Sequence, residues 1–458
     1  MIDISKISRY MPAVEKPTYK QTFNTRIMWT GIALVIYFVL SYISIYGIGE
    51  APQLNYLITI QLLFGAKFGS LMTLGIGPIV TAGILLQLVV GSKLISWDMT
   101  KPENREKFQA WNKFLAILFC FLTAIAYVLA GAIPVSGGIF TLVIVILQLA
   151  MGGIIVILLD EIVSKWGFGS GISLFIAAGI SSQIMIGVLS PFLTPQGDYV
   201  GKLWGFVSNI LIGNNYNAIL FLLPIISTAC VYLLVVYAQK IAVDIPLAFS
   251  TLRGFGRTWS LKLFYTSNIP VILAAALIAN LQLMGRIGID PSTSCSFLAC
   301  YDEQGNVVSG IIYYLSSPRN LLGEAIVGTL VSSEILRALT YLTFMSIACM
   351  IFSIFWITTS GMDPASVAEQ IESIGMQIPG YRRDRRTIEG VLKRYIPALA
   401  VLGGLFVGLL AAFADFTGAL GTGTGILLTV MIIYNYYEEL RMERLEEAHP
   451  LIRKVLGE

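Results

Sequence analysis

The feature that most constrains this chain runs from Leu54 to Val90, a long apolar segment that cannot be one ordinary membrane helix. Its first part, LNYLITIQLLF (Leu54 to Phe64), has about half of the ~20 residues that a span needs. Glycine then recurs at Gly65, Gly69, Gly75 and Gly77, and Pro78 follows directly. A second apolar run, IVTAGILLQLVV (Ile79 to Val90), begins only after it and is again short for a crossing. A short helix, a glycine-rich hinge and a half-length helix are tolerated at membrane depth only where the broken backbone faces protein or water. The segment therefore implies a cavity or pore inside a helical membrane protein.

The rest of the chain has the composition for it. Of 458 residues, 56% are hydrophobic and 12% charged, against roughly 25% charged in soluble domains. Runs long enough to cross, or nearly so, occur ten times. They are Met28–Tyr46, Pro78–Val90, Phe114–Ile133, Phe140–Leu159, Ile172–Leu189, Ala218–Tyr237, Phe264–Met284, Ala338–Thr359, Ile396–Phe413 and Leu420–Tyr437. The first follows a polar, basic segment without a small-residue cleavage site, which reads as a retained span and not a signal peptide.

Charge gives the orientation. Of the 30 Lys and Arg, 25 fall in the termini and loops on one side and 5 on the other. Positive charge collects on the cytoplasmic side, so ten spans with both termini in the cytoplasm are expected. Cys120, Cys230 and Cys349 lie in spans as small apolar fillers. Cys295 and Cys300 share an outer loop, where a disulfide is chemically permitted and free thiols are the alternative.

Several functions lack their chemistry. The apolar cores of the spans carry essentially no ionisable residues, whereas ion-coupled carriers keep such groups at membrane depth. The single histidine, His449, lies in the C-terminal tail, so a histidine-based triad has no base. No GxxxxGK[ST] loop exists for nucleotide binding. No enzyme activity, cofactor or metal is expected.

Ten spans divide into two fives, and the helix breakers fall in matching places. Span two opens with GIGP (Gly75 to Pro78) and span seven contains SNIP (Ser267 to Pro270). Span five opens with GFGSGI (Gly167 to Ile172) and span ten with GTGTGI (Gly421 to Ile426). Paired interruptions at corresponding positions point to inverted repeats around a central path; close helix packing at glycine is the plainer reading of any one cluster. Beyond the breaks, Ile76 and Val80 are four apart, as are Ile172 and Ile176, so each pair shares a helix face. An apolar constriction holds back water and ions by dewetting, although aliphatic residues in spans commonly face lipid or core.

At these motifs the chain resembles the SecY family, the large subunit of the protein-conducting translocon, in its archaeal form. The resemblance rests on LGIGPIVTAGI (Leu74 to Ile84), PENR (Pro102 to Arg105), LDEIVSKWGFGSGISLFIAAG (Leu159 to Gly179), LFYTSNIPVILAAAL (Leu263 to Leu277) and GTGTGILLTV (Gly421 to Val430), in order and over nearly the full length. It implies an all-α membrane protein with two inverted five-helix halves around a pore. Residues 1–189 form the N-terminal half with a re-entrant plug at 54–67, residues 190–437 the C-terminal half, and 438–458 a cytoplasmic tail. It further implies a pore ring of Ile76, Val80, Ile172, Ile176, Ile272 and Leu428. The plug carries Leu54, Tyr56, Leu57, Ile58, Ile60, Leu62, Leu63 and Phe64. A lateral gate lies between spans two and seven, with Thr81, Gln87 and Asn268 on them and Thr123 on span three.

The basic loops, with Arg253, Arg257 and Lys262 in one and Arg382, Arg383, Arg385, Arg386, Lys393 and Arg394 in the other, suit ribosome docking through phosphate contacts. They equally satisfy the orientation rule. Arg105 resembles a residue that helps hold a small clamp subunit. Implied partners are SecE-type (gamma) and beta-type single-span subunits in a heterotrimer, a ribosome, signal sequences and nascent polypeptides, all at the cell membrane bilayer. The expected function is a channel that translocates unfolded polypeptide and releases signal or transmembrane helices sideways into lipid. An inverted-repeat secondary transporter is the rival, and an insertase without an aqueous path is a third reading.

Overall fold

The computed structural model describes residues 11–19, 21–48, 66–91, 94–95, 97, 101–129, 133–193, 199–249, 256–266, 268–285, 295–302, 307–318, 321–328, 331–373, 376–377 and 385–448. Each of the ten expected spans is a helix. Spans one to five are Phe23–Tyr42, Gly77–Gly91, Pro102–Leu129, Ile139–Trp166 and Gly171–Leu189. Spans six to ten are Asn215–Gln239, Ile269–Met284, Ser332–Ser360, Arg385–Phe416 and Gly423–Ala448. Seven described helices, spans one, three to six, eight and nine, are long and apolar enough to cross a membrane on their own; spans two and seven are apolar but shorter, and span ten, with its charged second half, is not among the seven. The chain is a multi-pass membrane protein. The short helix expected at Leu54 to Phe64, with every residue assigned to the plug, lies outside the described residues.

Local chemistry moves some boundaries. SNIP was expected within span seven, but the helix begins at Ile269 with Pro270 in its first turn. Proline has no N–H to lose there, and its fixed φ suits a helix start. Residues Phe264 to Thr266 and Asn268 therefore precede the helix. Ile76 likewise sits in the turn before span two, where its carbonyl accepts from Val80 N–H at 3.1 Å. Span ten begins at Gly423, not Leu420, and runs past Tyr437 to Ala448, so much of the expected tail is helix.

Residues from all ten spans share one apolar core. Its outer surface is also apolar: Val35, Ile219, Leu233 and Leu339 are each more than 60% exposed, as lipid-facing side chains are. The turn before span two is fastened to the end of span one by Ile45 N–H to Gly69 carbonyl and Leu71 N–H to Ile43 carbonyl, both 3.0 Å.

Outside the helices, strands β1 (Ala242–Phe249) and β2 (Gly256–Lys262) form an antiparallel hairpin between spans six and seven, with Ala242 opposite Lys262. Strands β3 (Ala299–Tyr301) and β4 (Val307–Gly310) pair between spans seven and eight. Cys300 of β3 is joined to Cys295 by a disulfide. Strand β5 (Met376–Gln377), between spans eight and nine, adds to β1. The two basic loops thus meet in a single sheet, which composition alone did not indicate.

Candidate pore waist and lateral gate

Ile76, Val80, Ile176, Ile272 and Leu428 are each at most 6% exposed and belong to the common core, against which the partly buried Ile172 also packs. All six expected ring residues therefore lie in or against the core shared by the ten spans, on or just before spans two, five, seven and ten. Branched aliphatics there offer an ion no substitute for its hydration, and a gap between them dewets. They also deform around a passing strand without a fixed polar site.

The helices that carry them start in different ways. Span five begins against Asp160 of span four, whose Oδ1 accepts from Ile172 N–H at 2.9 Å. Span ten begins against Asp415 of span nine, whose Oδ1 accepts from Thr424 N–H at 2.8 Å. Spans two and seven begin at turns, with no side-chain cap on span seven. The sequence reading missed both aspartates, which lie just past the ends of their apolar runs.

Span two packs along span seven, and their seam carries polar groups. Asn280 Nδ2 donates to Thr81 Oγ1 at 3.1 Å, and Thr81 Oγ1 donates to the Gly77 carbonyl at 2.9 Å. Asn280 was not singled out from the sequence, although it is a polar residue inside an apolar run. Gln87 is 4% exposed, and its Oε1 has no hydrogen-bond partner among the described residues. Asn268 is buried at the N-cap of span seven. Thr123, expected at the gate, turns its hydroxyl to the Phe119 carbonyl of its own helix.

The entry of span seven is tied to the spans behind it. Tyr265 Oη donates to the Met362 carbonyl at 3.0 Å. Burial and the nearby Asp363 push its pKa up to about 12, so the hydroxyl stays a donor at neutral pH. Thr266 and Ser353 hydroxyls bond at 3.0 Å, and Ser353 Oγ continues to the Ala400 carbonyl at 2.8 Å.

Of the expected docking residues, Arg253, Arg382 and Arg383 lie outside the described residues. Arg257 is in β2 opposite Leu247, and Arg385 opens span nine. Arg386 and Arg394 are exposed, and Lys393 pairs with Glu389 at 3.0 Å. Lys262 pairs instead with Glu438 of span ten. Arg105, at the start of span three, reaches across to the Gly361 cap that ends span eight, where a Cβ would meet its Nη2 at 2.8 Å.

A bundle of broken and whole spans around a common apolar core suits a membrane channel, and its likeness to a solved protein conducting channel makes it a protein-conducting one. A family model for SecY matches residues 70–437. The chain belongs to the SecY family. The protein translocase subunit SecY of Methanocaldococcus jannaschii is 46% identical over 451 residues, 98% of either chain. That of Pyrococcus furiosus is 43% identical, over 99% of this chain and 98% of the relative. A solved protein conducting channel superposes with a TM-score of 0.83 at 44% identity, over 97% of this chain and 98% of the other. Sec61 in a canine ribosome-channel complex gives 0.80 at 44% identity, with the same coverage. These likenesses favour the channel over the secondary transporter.

Proposed function

We propose that this channel is sealed at rest by Ile76, Val80, Ile172, Ile176, Ile272 and Leu428, and that it opens sideways between spans two and seven. The observation that supports this reading is that all six side chains lie in or against the one apolar core that the ten spans share. The halves 1–189 and 190–437 act as two shells hinged around that waist, and the segment from Leu54 to Phe64 acts as a plug. A SecY structure that is 46% identical, with a TM-score of 0.82, is described as having a plug domain that stabilises its closed state, which supports the plug reading. Both termini face the cytoplasm of a cell membrane.

The sheet formed by β1, β2 and β5, with Arg386 and Arg394 nearby, serves as the docking face for a ribosome. The ribosome-bound canine relative supports this assignment. Small single-span subunits of the SecE and beta types complete the complex, with Arg105 near the clamp. Substituting Gly for Ile76, Val80 and Ile172 together should make the resting channel leak ions in planar bilayers. Unchanged conductance counts against the ring. A stalled nascent chain should crosslink to cysteines placed at Ile76, Ile176 and Leu428; if none reacts, the path lies elsewhere.

A further inference from the structure

Spans five and ten contribute three of the six ring residues, and each begins at an aspartate from the span before it. Asp160 and Ile172 are 12 residues apart in sequence, and Asp415 and Thr424 are 9 apart. In both places the carboxylate takes the second amide of the new helix. Gly171 and Gly423 stand directly before these bonded amides, and a Cβ on Gly171 would lie 2.9 Å from Asp160 Oδ1. Thr424 Oγ1 and Tyr341 Oη of span eight also donate to Asp415 Oδ2, the latter at 2.6 Å.

At both helix starts the span also comes close to the backbone of its predecessor beside the carboxylate. A Cβ on Gly171 would lie 2.6 Å from Asp160 Cα, and one on Gly423 would lie 1.8 Å from the Ala414 carbonyl carbon. Next to Gly423, Thr422 holds a left-handed φ of 69°, unusual for a β-branched residue, and its hydroxyl accepts from Gly425 N–H at 3.2 Å. The chain therefore accepts local strain in order to start span ten at this point.

The two grips act from opposite ends. Tyr436 Oη and Glu439, late in span ten, hold the Ser170 carbonyl at 2.8 Å and Gly169 N–H at 3.2 Å beside the Asp160 site. Asp415 holds the first turn of the same helix, roughly 18 Å away at 1.5 Å per residue. Spans five and ten are thus antiparallel rods, each fixed at its own N-terminus. The first amides of a helix carry partial positive charge, and a carboxylate makes the stronger, charge-assisted bond to them.

We propose that Asp160 and Asp415 are a matched pair of positioning residues that set the depth of spans five and ten and so align Ile172, Ile176 and Leu428 in the waist. A rod held at its second amide carries its later residues at fixed depth. Ile172 is itself the held residue, Ile176 is one turn further, and Leu428 is one turn beyond Thr424. The functional part of this inference rests on the ring reading.

The test places a single cysteine at Ile176 or Leu428 in the assembled complex in proteoliposomes, with Cys230→Ser to remove the exposed native thiol; Cys120 and Cys349 are buried. The readout is the rate of labelling by a water-soluble maleimide. Asp415→Ala should raise labelling at position 428 about tenfold, as expected for a lost bond to a charged group, and leave position 176 nearly unchanged. Asp160→Ala should do the reverse. Asp160→Asn and Asp415→Asn keep an acceptor oxygen and should give smaller shifts at the same positions; they carry the test if the alanine forms do not assemble. Equal responses at both positions, or none at either, overturn the proposal. A triple-glycine ring without a leak would sink the ring reading, while the labelling pattern still decides the depth of the helices.

Discussion

The proposed ring draws on two pairs of helices that are held in unlike ways. Spans five and ten start on carboxylates, with their second amides bonded to the preceding span and their backbones close to it. Spans two and seven start at turns, and along their seam Asn280 meets Thr81 in a bond between neutral side chains. Gln87 Oε1, further along span two, is buried without a partner among the described residues. Span seven is meanwhile bonded backwards, through Tyr265 to Met362 and through Thr266 and Ser353 to Ala400. One pair is a fixed wall and the other is a seam. A channel that opens sideways needs that inequality, because a wall with weak bonds all round would open anywhere.

The sharpest way to break the contrast is to add one carbon to each side of it. In Gly423→Ala the new Cβ would sit 1.8 Å from the Ala414 carbonyl carbon and 2.0 Å from its oxygen. Neither atom can swing away, so the loss should reach about 3 kcal/mol, at the upper end of overpacking costs. Gly83→Ala, on span two, meets nothing nearer than Asn112 Oδ1 at 3.9 Å. It should cost nothing, and better helix propensity can add up to about 1 kcal/mol. Thermal unfolding of the purified complex compares them. Equal damage from both would erase the distinction between wall and seam.

The fold was legible because lipid leaves little choice. Ten apolar runs had to become ten helices, and the alternating Lys and Arg excess kept their order. Of the proposed ring, Ile76 with Val80 and Ile172 with Ile176 stood out only as same-face pairs beyond the breaks, while the ring itself, with Ile272 and Leu428, came from the family resemblance. Asp160 and Asp415 were missed because each lies just past an apolar run, where a carboxylate reads as a loop charge. The available signal was an acid standing shortly before each glycine-rich break. Asn280 escaped because its partner is 199 residues away, a distance no periodicity spans. The meeting of two arginine-rich loops in one sheet was hidden likewise, for pairing of Phe249 with Met376 is a tertiary fact.

Smaller changes test the seam alone, and they should act in opposite directions. Asn280→Leu removes the bond to Thr81, which keeps its hydroxyl on the Gly77 carbonyl. Closure of the gate should weaken by about 1 kcal/mol, as for other interhelical bonds in lipid. Gln87→Leu removes an unpaired buried acceptor and should favour closure by about 1 kcal/mol. Crosslinking yield between a signal helix and span two should rise for the first variant and fall for the second. Shifts of the same sign in both would mean that the seam does not set the opening equilibrium.

The smallest effect separates the fixed wall from the sheet outside it. Lys262, the last residue of β2, pairs with Glu438 on span ten, and both side chains are about one-third exposed. Water and salt screen such a pair, so Lys262→Ala and Glu438→Gln should couple by no more than about 0.5 kcal/mol in a double-mutant cycle. The neighbouring Glu439 accepts from Gly169 N–H at the start of span five, within the fixed pair itself. A coupling several times larger would make the hairpin a rigid extension of the wall, so that a partner docked on it pulls directly on spans five and ten. A coupling at the expected size leaves the hairpin softly attached, and a docked partner then acts on the seam through the bonds that Tyr265 and Thr266 make at the entry of span seven.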